Sequence, residues 1–156
     1  MGRTSGLERA VDSLFITIPL LFKTLLHDPE TLGHNPMSSD FRLLAILVRR
    51  GPMPISKAAT ILGVSKPNMT KVLNKLFNEG KVHRSQNSQD KRITMIEITD
   101  IGRAYLESCT ESAKELVRRR LDDLNPEERR SLFKTIDSLK LILTKINEKK
   151  KDDTIQ

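Results

Sequence analysis

Between residues 65 and 71 the chain reads Ser-Lys-Pro-Asn-Met-Thr-Lys. Ser65, Lys66, Asn68, Thr70 and Lys71 are all hydrogen-bonding or cationic, and on a helix they would offer hydroxyl, carboxamide and ammonium groups to a partner. An Asn carboxamide can make paired hydrogen bonds to adenine, and a Lys can meet guanine or phosphate. Pro67 fits a first helical turn, whose backbone N–H groups also attract phosphate. The same string equally describes the exposed side of an ordinary amphipathic helix. The distribution of charge separates the two readings.

The 156 residues carry a net charge of +7. Residues 49–92 alone hold ten Lys or Arg and two acids, a net of +8, while residues 1–48 net −1 and residues 93–156 net zero. An ordinary solvated surface intersperses both signs, so this concentration points to a polyanion, with nucleic acid the first candidate and an anionic membrane surface the second.

The neighbouring elements must hold these groups in place. Ser56 opens a short helix from Lys57 to Leu62 that ends at Gly63, where a left-handed residue closes a helix well. After a turn of two or three residues Ser65 can cap the next helix, with Met69, Val72, Leu73 and Leu76 on its apolar stripe. From Lys81 to Thr99 the period becomes two, with Val82 and Arg84, then Thr94, Ile96 and Ile98, around the polar stretch SQNSQDK; this is a two-stranded hairpin. Two short helices and a hairpin describe a helix-turn-helix with a wing, and the second helix is the natural major-groove reader.

Long helices flank this head. Leu7, Val11, Leu14, Ile18, Leu21 and Leu25 repeat in steps of four and three, with Pro19 marking a kink or weak point. Residues 27–37 read as a loop, and Ser38 or Ser39 caps a helix burying Phe41, Leu44, Ala45 and Val48. Asp100 caps a helix to about Leu121, with Leu106, Cys109, Ala113 and Leu116 on one face. Asn125, Pro126 and Glu128 start the last helix, which repeats the seam as Leu132, Ile136, Leu139, Leu143 and Ile146. The expected fold is mainly α, with residues 1–36 and 100–148 as a helical dimerisation base, 37–99 as the head (helix-turn-helix about 55–79, wing about 82–99) and 149–156 as a disordered tail. Seams of this kind suit pairing with another helix.

The run GPMPISKAATILGVSKPNMTKVLNKLFNEGKV followed by HRSQNSQDKRITMIEITDIGRAYL resembles the MarR family of winged helix-turn-helix transcriptional regulators, most specifically in DKR and ITDIG. Lys81 departs from the family pattern, which usually has an aliphatic residue after the Gly. The resemblance implies a cytoplasmic homodimer, paired through Leu7, Val11, Leu14, Leu132, Ile136, Leu139 and Leu143, that binds a near-palindrome in double-stranded promoter DNA and most often represses. It implies that Arg92 enters the minor groove, positioned by Asp90, with Arg84 and Lys91 either on phosphates or simply solvated. Residues two apart on a strand share a face, which suits the Asp90–Arg92 pair.

The resemblance also implies release by a small aromatic or anionic effector between head and base, where Phe15, Phe22, Phe41 and Arg103 are the candidate liners, each equally suited to ordinary core. Cys109 lies on an apolar face, where an inert thiol is the usual case. The histidines His27, His34 and His83 are scattered, and His27, Asp28 and Glu30 fit a loop better than a metal site. No metal, cofactor, catalytic motif, signal peptide or membrane span is expected. Two rival readings remain: an architectural protein binding duplex DNA without sequence preference, and a winged-helix module docking on an acidic protein.

Overall fold

Helical periodicity and one stretch of alternation become, among the described residues, six α-helices, one π-helical turn and a three-stranded sheet. The computed structural model describes residues 5–27, 38–86 and 90–152, with side chains as far as residue 148. In chain order these are α1 (Gly6–Leu21), a π-turn (Phe22–Leu26), α2 (Ser39–Arg50), β1 (Met53–Pro54), α3 (Ile55–Leu62), α4 (Lys66–Asn78), β2 (Val82–Gln86), β3 (Thr94–Ile98), α5 (Asp100–Leu121) and α6 (Pro126–Asp152). They fall into two compact units, residues 1–117 and 118–156.

Ser5 and Glu8 start α1 with a reciprocal cap: the Glu8 amide donates to Ser5 Oγ and the Ser5 amide to Glu8 Oε2, at 3.2 and 2.8 Å. Regular helix continues through Pro19 to Leu21, and the change comes at the next residue, Phe22, whose carbonyl accepts from the His27 amide five residues on at 3.0 Å. No residue of α1 is buried, although Leu7, Phe15 and Ile16 are large and apolar.

The core of the head joins α2, α3, α4 and the sheet through Leu43, Leu44, Leu47, Ala58, Leu62, Met69, Leu73, Leu76, Val82 and Ile96. In α2 the buried stripe is Leu43, Leu44 and Leu47, whereas Phe41 and Ala45 are half-buried and Val48 is exposed, so the expected stripe is rotated. The run LLAILV is apolar all round and cannot set its own phase; α4 and β3 do. The hairpin gains a third strand, since β1 pairs antiparallel with β3 as Met53–Ile96 and Pro54–Met95, and β2 pairs with the other edge. Two residues beside Pro52 carry too little alternation to show as a strand. Helix α3 begins at Ile55, ahead of Ser56, because Pro54 supplies the extended backbone before it.

The start of α5 also differs from expectation. Thr99, not Asp100, is the cap: its hydroxyl accepts from the Gly102 amide at 3.1 Å and donates to the Gly80 carbonyl at 2.6 Å. The Thr99 amide donates to the Lys81 carbonyl at 3.1 Å. Gly80 and Lys81 end α4 in a left-handed turn, with amides donating to Phe77 and Leu76 carbonyls. Gly102 lies flat against this turn, and a Cβ there would overlap the Lys81 carbonyl oxygen.

In the second unit, Asn125 Oδ1 accepts from the Glu127 and Glu128 amides at 2.9 and 3.0 Å, and Glu128 returns a bond to the Asn125 amide, as the sequence led one to expect. Helix α6 runs to Asp152, past the expected end at residue 148, because no helix breaker follows Ile146. Ile136, Leu139, Leu143 and Ile146 of its seam are exposed. Asp28, Glu30 and His34 lie outside the described residues.

Gly102→Ala should destabilise the head by about 2 kcal/mol or more, because backbone cannot move aside as a side-chain tip would. Thermal unfolding checks this; an unchanged midpoint would mean that the α5 junction opens freely.

Candidate nucleic-acid interface

Helix α4 is held at both ends. Before it, Gly63 adopts φ +66° and ψ +34°, and the three residues Gly63, Val64 and Ser65 complete the turn from α3. Arg42 donates from Nη2 to the Leu62 carbonyl at 3.2 Å, fixing the end of α3 to α2. Near the other end, Lys75 Nζ meets Asp40 Oδ2 at 2.6 Å, tying α4 to the first turn of α2. Ser65 takes the extended backbone of a cap, but its hydroxyl makes no capping bond.

Met69, Leu73 and Leu76 face inward, and Ser65, Lys66, Pro67, Asn68, Thr70 and Lys71 are all exposed. They do not share one face. Pro67 and Lys71, four apart, continue to Asn74 along the outermost row. Lys66 and Thr70 turn toward the wing, where both line a cleft. Asn74 is exposed too; it is not among the sequence candidates, which end at Lys71, and its spacing of three from Lys71 is the signal that places it on this row.

The wing brings its own cations. Arg84 stacks its guanidinium 4.2 Å from the centre of the Phe77 ring, so α4 orients it. Asp90 Oδ1 accepts from both the Arg92 amide, at 2.9 Å, and Arg92 Nε, at 3.2 Å. The two residues lie in a turn before β3 rather than on a strand, so it is a local side-chain-to-backbone turn that joins them, not strand alternation. The Arg92 side chain is 93% exposed, which leaves its outer nitrogens presented to solvent. His83 and Glu97 pair across the strands at 3.3 Å.

Not every cation of residues 49–92 faces outward with its charge uncompensated. Lys75 is paired with Asp40, and Lys81 with Glu79 at 2.7 Å. Among the described residues, Lys66, Lys71, Arg84 and Lys91 have no carboxylate within ion-pairing distance. Between α3, α4 and the wing lies a cleft of about 700 Å³, rimmed by Lys66, Arg84, Arg92, Ser56, Thr70 and Thr94 over a floor that includes Ile55, Ala59, Met69, Leu73 and Ile93. Phe15, Phe22, Phe41 and Arg103 do not line it: Phe15 and Arg103 are exposed, and Phe22 and Phe41 half-buried.

This geometry coincides with a known family. The MarR family model matches residues 38–94, which span α2 through the start of β3. Over that stretch the chain is similar to the MarR family. The chain is 29% identical over 130 residues to the uncharacterised HTH-type transcriptional regulator YkoM of Bacillus subtilis, covering 81% of this chain and 82% of YkoM. It is 25% identical over 124 residues to the HTH-type transcriptional repressor MdtR of the same organism, covering 80% of this chain and 77% of MdtR. The fold is similar to that of wild-type MarR from E. coli in its apo form, with a TM-score of 0.62, 20% identity and coverage of 88% of this chain and 98% of that one. No helix among the described residues of this chain is long and apolar enough to cross a membrane.

On α5, Cys109 is 1% exposed beside Tyr105. Burial pushes its thiol pKa up despite the Tyr105 hydrogen bond and the nearby Lys81 charge, and burial likewise raises Tyr105. Asp40 behaves oppositely. Burial raises its carboxyl, but hydrogen bonds from Lys75, Ser38 and the Phe41 amide, together with the Lys75 charge, outweigh it and hold the group below its usual 3.8. Lys75 is held above its usual 10.5 by the Asp40 hydrogen bond.

The depressed carboxyl stabilises the fold above its unfolded pKa, and that contribution disappears as pH falls through the folded value; the raised ammonium contributes below 10.5 and fades as pH rises past its folded value. The stability difference between wild type and Asp40→Asn should therefore be widest near neutrality and narrow below about pH 4. Urea unfolding at several pH values reads it, and a difference independent of pH would remove the charge pair as its cause.

Proposed function

We propose that the protein is a homodimeric repressor that reads a near-palindrome in promoter DNA. The observation that carries this reading is the concentration of cations lacking carboxylate partners on two adjoining elements, Lys66 and Lys71 on α4 and Arg84 and Lys91 on the wing, beside the outward-facing Arg92. Ser65, Pro67, Asn68, Thr70 and Lys71 begin a helix of the length and exposure that enters a major groove, while Arg92, steadied by Asp90, suits the strongly negative minor groove of A·T-rich DNA. The pairing of copies is supported by the exposed seams at Leu7, Val11 and Leu14 of α1 and Ile136, Leu139 and Leu143 of α6, continuing from the half-buried Leu132. The repressor name of MdtR supports the direction of regulation.

The cleft beside α4 favours a second element of this reading. Cations over an apolar floor suit a small aromatic acid, and an occupant there would compete with DNA for Lys66, Arg84 and Arg92. Phe15, Phe22, Phe41 and Arg103 remain a separate candidate lining.

Selection from a random DNA library should return a two-fold symmetric site with half-sites about one helical turn apart, bound about a thousandfold or more tighter than random duplex. Equal affinity for all duplexes would favour an architectural protein, and no duplex binding would favour a protein-docking module. On the selected duplex, five cations per head bound the salt dependence: log K against log salt should slope between about −4 and −9. Arg92→Ala should weaken binding by about 1–3 kcal/mol without dissociating the dimer. Unchanged affinity would confine Arg92 to shaping the wing.

A further inference from the structure

We infer that Lys81 and Tyr105 form a brace that sets the angle of the wing, and so make Lys81 a positioning residue for DNA recognition rather than a DNA contact. The Lys81 ammonium lies 3.2 Å from the centre of the Tyr105 ring, with Glu79 at 2.7 Å balancing its charge and its side chain only 13% exposed. A cation so enclosed and so paired has little left to offer a phosphate. Its backbone, however, is the root of the wing: Val82 begins β2 directly after it.

That root touches α5 at two places. The Lys81 carbonyl rests on Gly102, and the Lys81 side chain reaches Tyr105, one helical turn further on the same face. A single contact would leave a pivot, whereas two contacts along the helix axis resist rotation. The leverage is large, because β2 is about 16 Å long from five residues at strand rise. A rotation of about 10° at Lys81 would carry its far end by about 3 Å, enough to take a wing-tip donor out of hydrogen-bond range. The contact therefore governs where Arg92 sits, although the two side chains are at opposite ends of the wing.

This rests on the reading of the head as a DNA binder, so two measurements on the full chain keep the questions apart. The first needs no DNA. Amide hydrogen exchange of residues in β2 and β3 should quicken by about three- to tenfold in Lys81→Met and stay near wild type in Lys81→Arg, which keeps the cation over the ring. Equal protection in Lys81→Met and wild type overturns the brace. The second is affinity for the selected duplex across a salt series. Lys81→Met and Tyr105→Leu should each weaken binding by about three- to tenfold, the double variant no more than either alone, with Tyr105→Phe near wild type and the salt slope unchanged. Additive losses, undiminished affinity, or a slope about one shallower, as a lost phosphate contact gives, each overturn the positioning role. Wild-type protein that binds no duplex refutes the DNA reading, and the exchange result still decides whether the brace exists.

Discussion

The head depends on how tightly the backbone at Gly80 and Lys81 is gripped. Four elements meet there: α4 ends, β2 begins, β3 returns through Thr99, and α5 brings in Gly102 from its first turn. Thr99 satisfies three backbone groups at once, accepting from Gly102 and donating to Gly80 and Lys81. Buried backbone groups without such partners would each be costly, and the close approach that makes these bonds possible requires a residue without a side chain at 102. Helix α4, the wing and α5 are therefore joined at one backbone junction.

Electrostatics inside the head follow a division of labour. Lys75 and Lys81 spend their charge on Asp40, Glu79 and the Tyr105 ring, holding α2, α4, the wing and α5 in register. Lys66, Lys71, Arg84 and Lys91 keep theirs for a partner, and Arg84 is aimed by stacking on Phe77, which costs it no positive charge. Glu79 is already counted in the excess of +8 in residues 49–92, whereas Asp40 is not, so the Lys75–Asp40 pair lowers that excess by one.

Much of this was legible in the sequence, for physical reasons that can be named. Gly63 between two short apolar stripes announced the turn, the polar run from Ser65 to Lys71 announced an exposed helix start, and the alternation around Ile96 announced the wing. The cap at Asn125 was readable because all its bonds are local. What escaped was non-local or degenerate. The phase of α2 is hidden in LLAILV, β1 is too short to alternate, and Thr99 outranks Asp100 as a cap only because Gly80 and Lys81 are brought beside it. Asp90 and Arg92 were paired for the wrong reason, the turn rather than the strand bringing them together. The candidate residues of α4 were legible only as one polar run; their sorting into an outer row with Pro67, Lys71 and Asn74 and a cleft side with Lys66 and Thr70 needed the helix to be oriented by its core.

The contact between Lys81 and Tyr105 has a consequence for observing the molecule. The chain has no tryptophan and one tyrosine. Its intrinsic near-ultraviolet emission is therefore dominated by the ring at the root of the wing, next to an ammonium group and a thiol. Whatever disturbs that root changes the surroundings of the principal native fluorophore, so the joint carries its own optical reporter without any label.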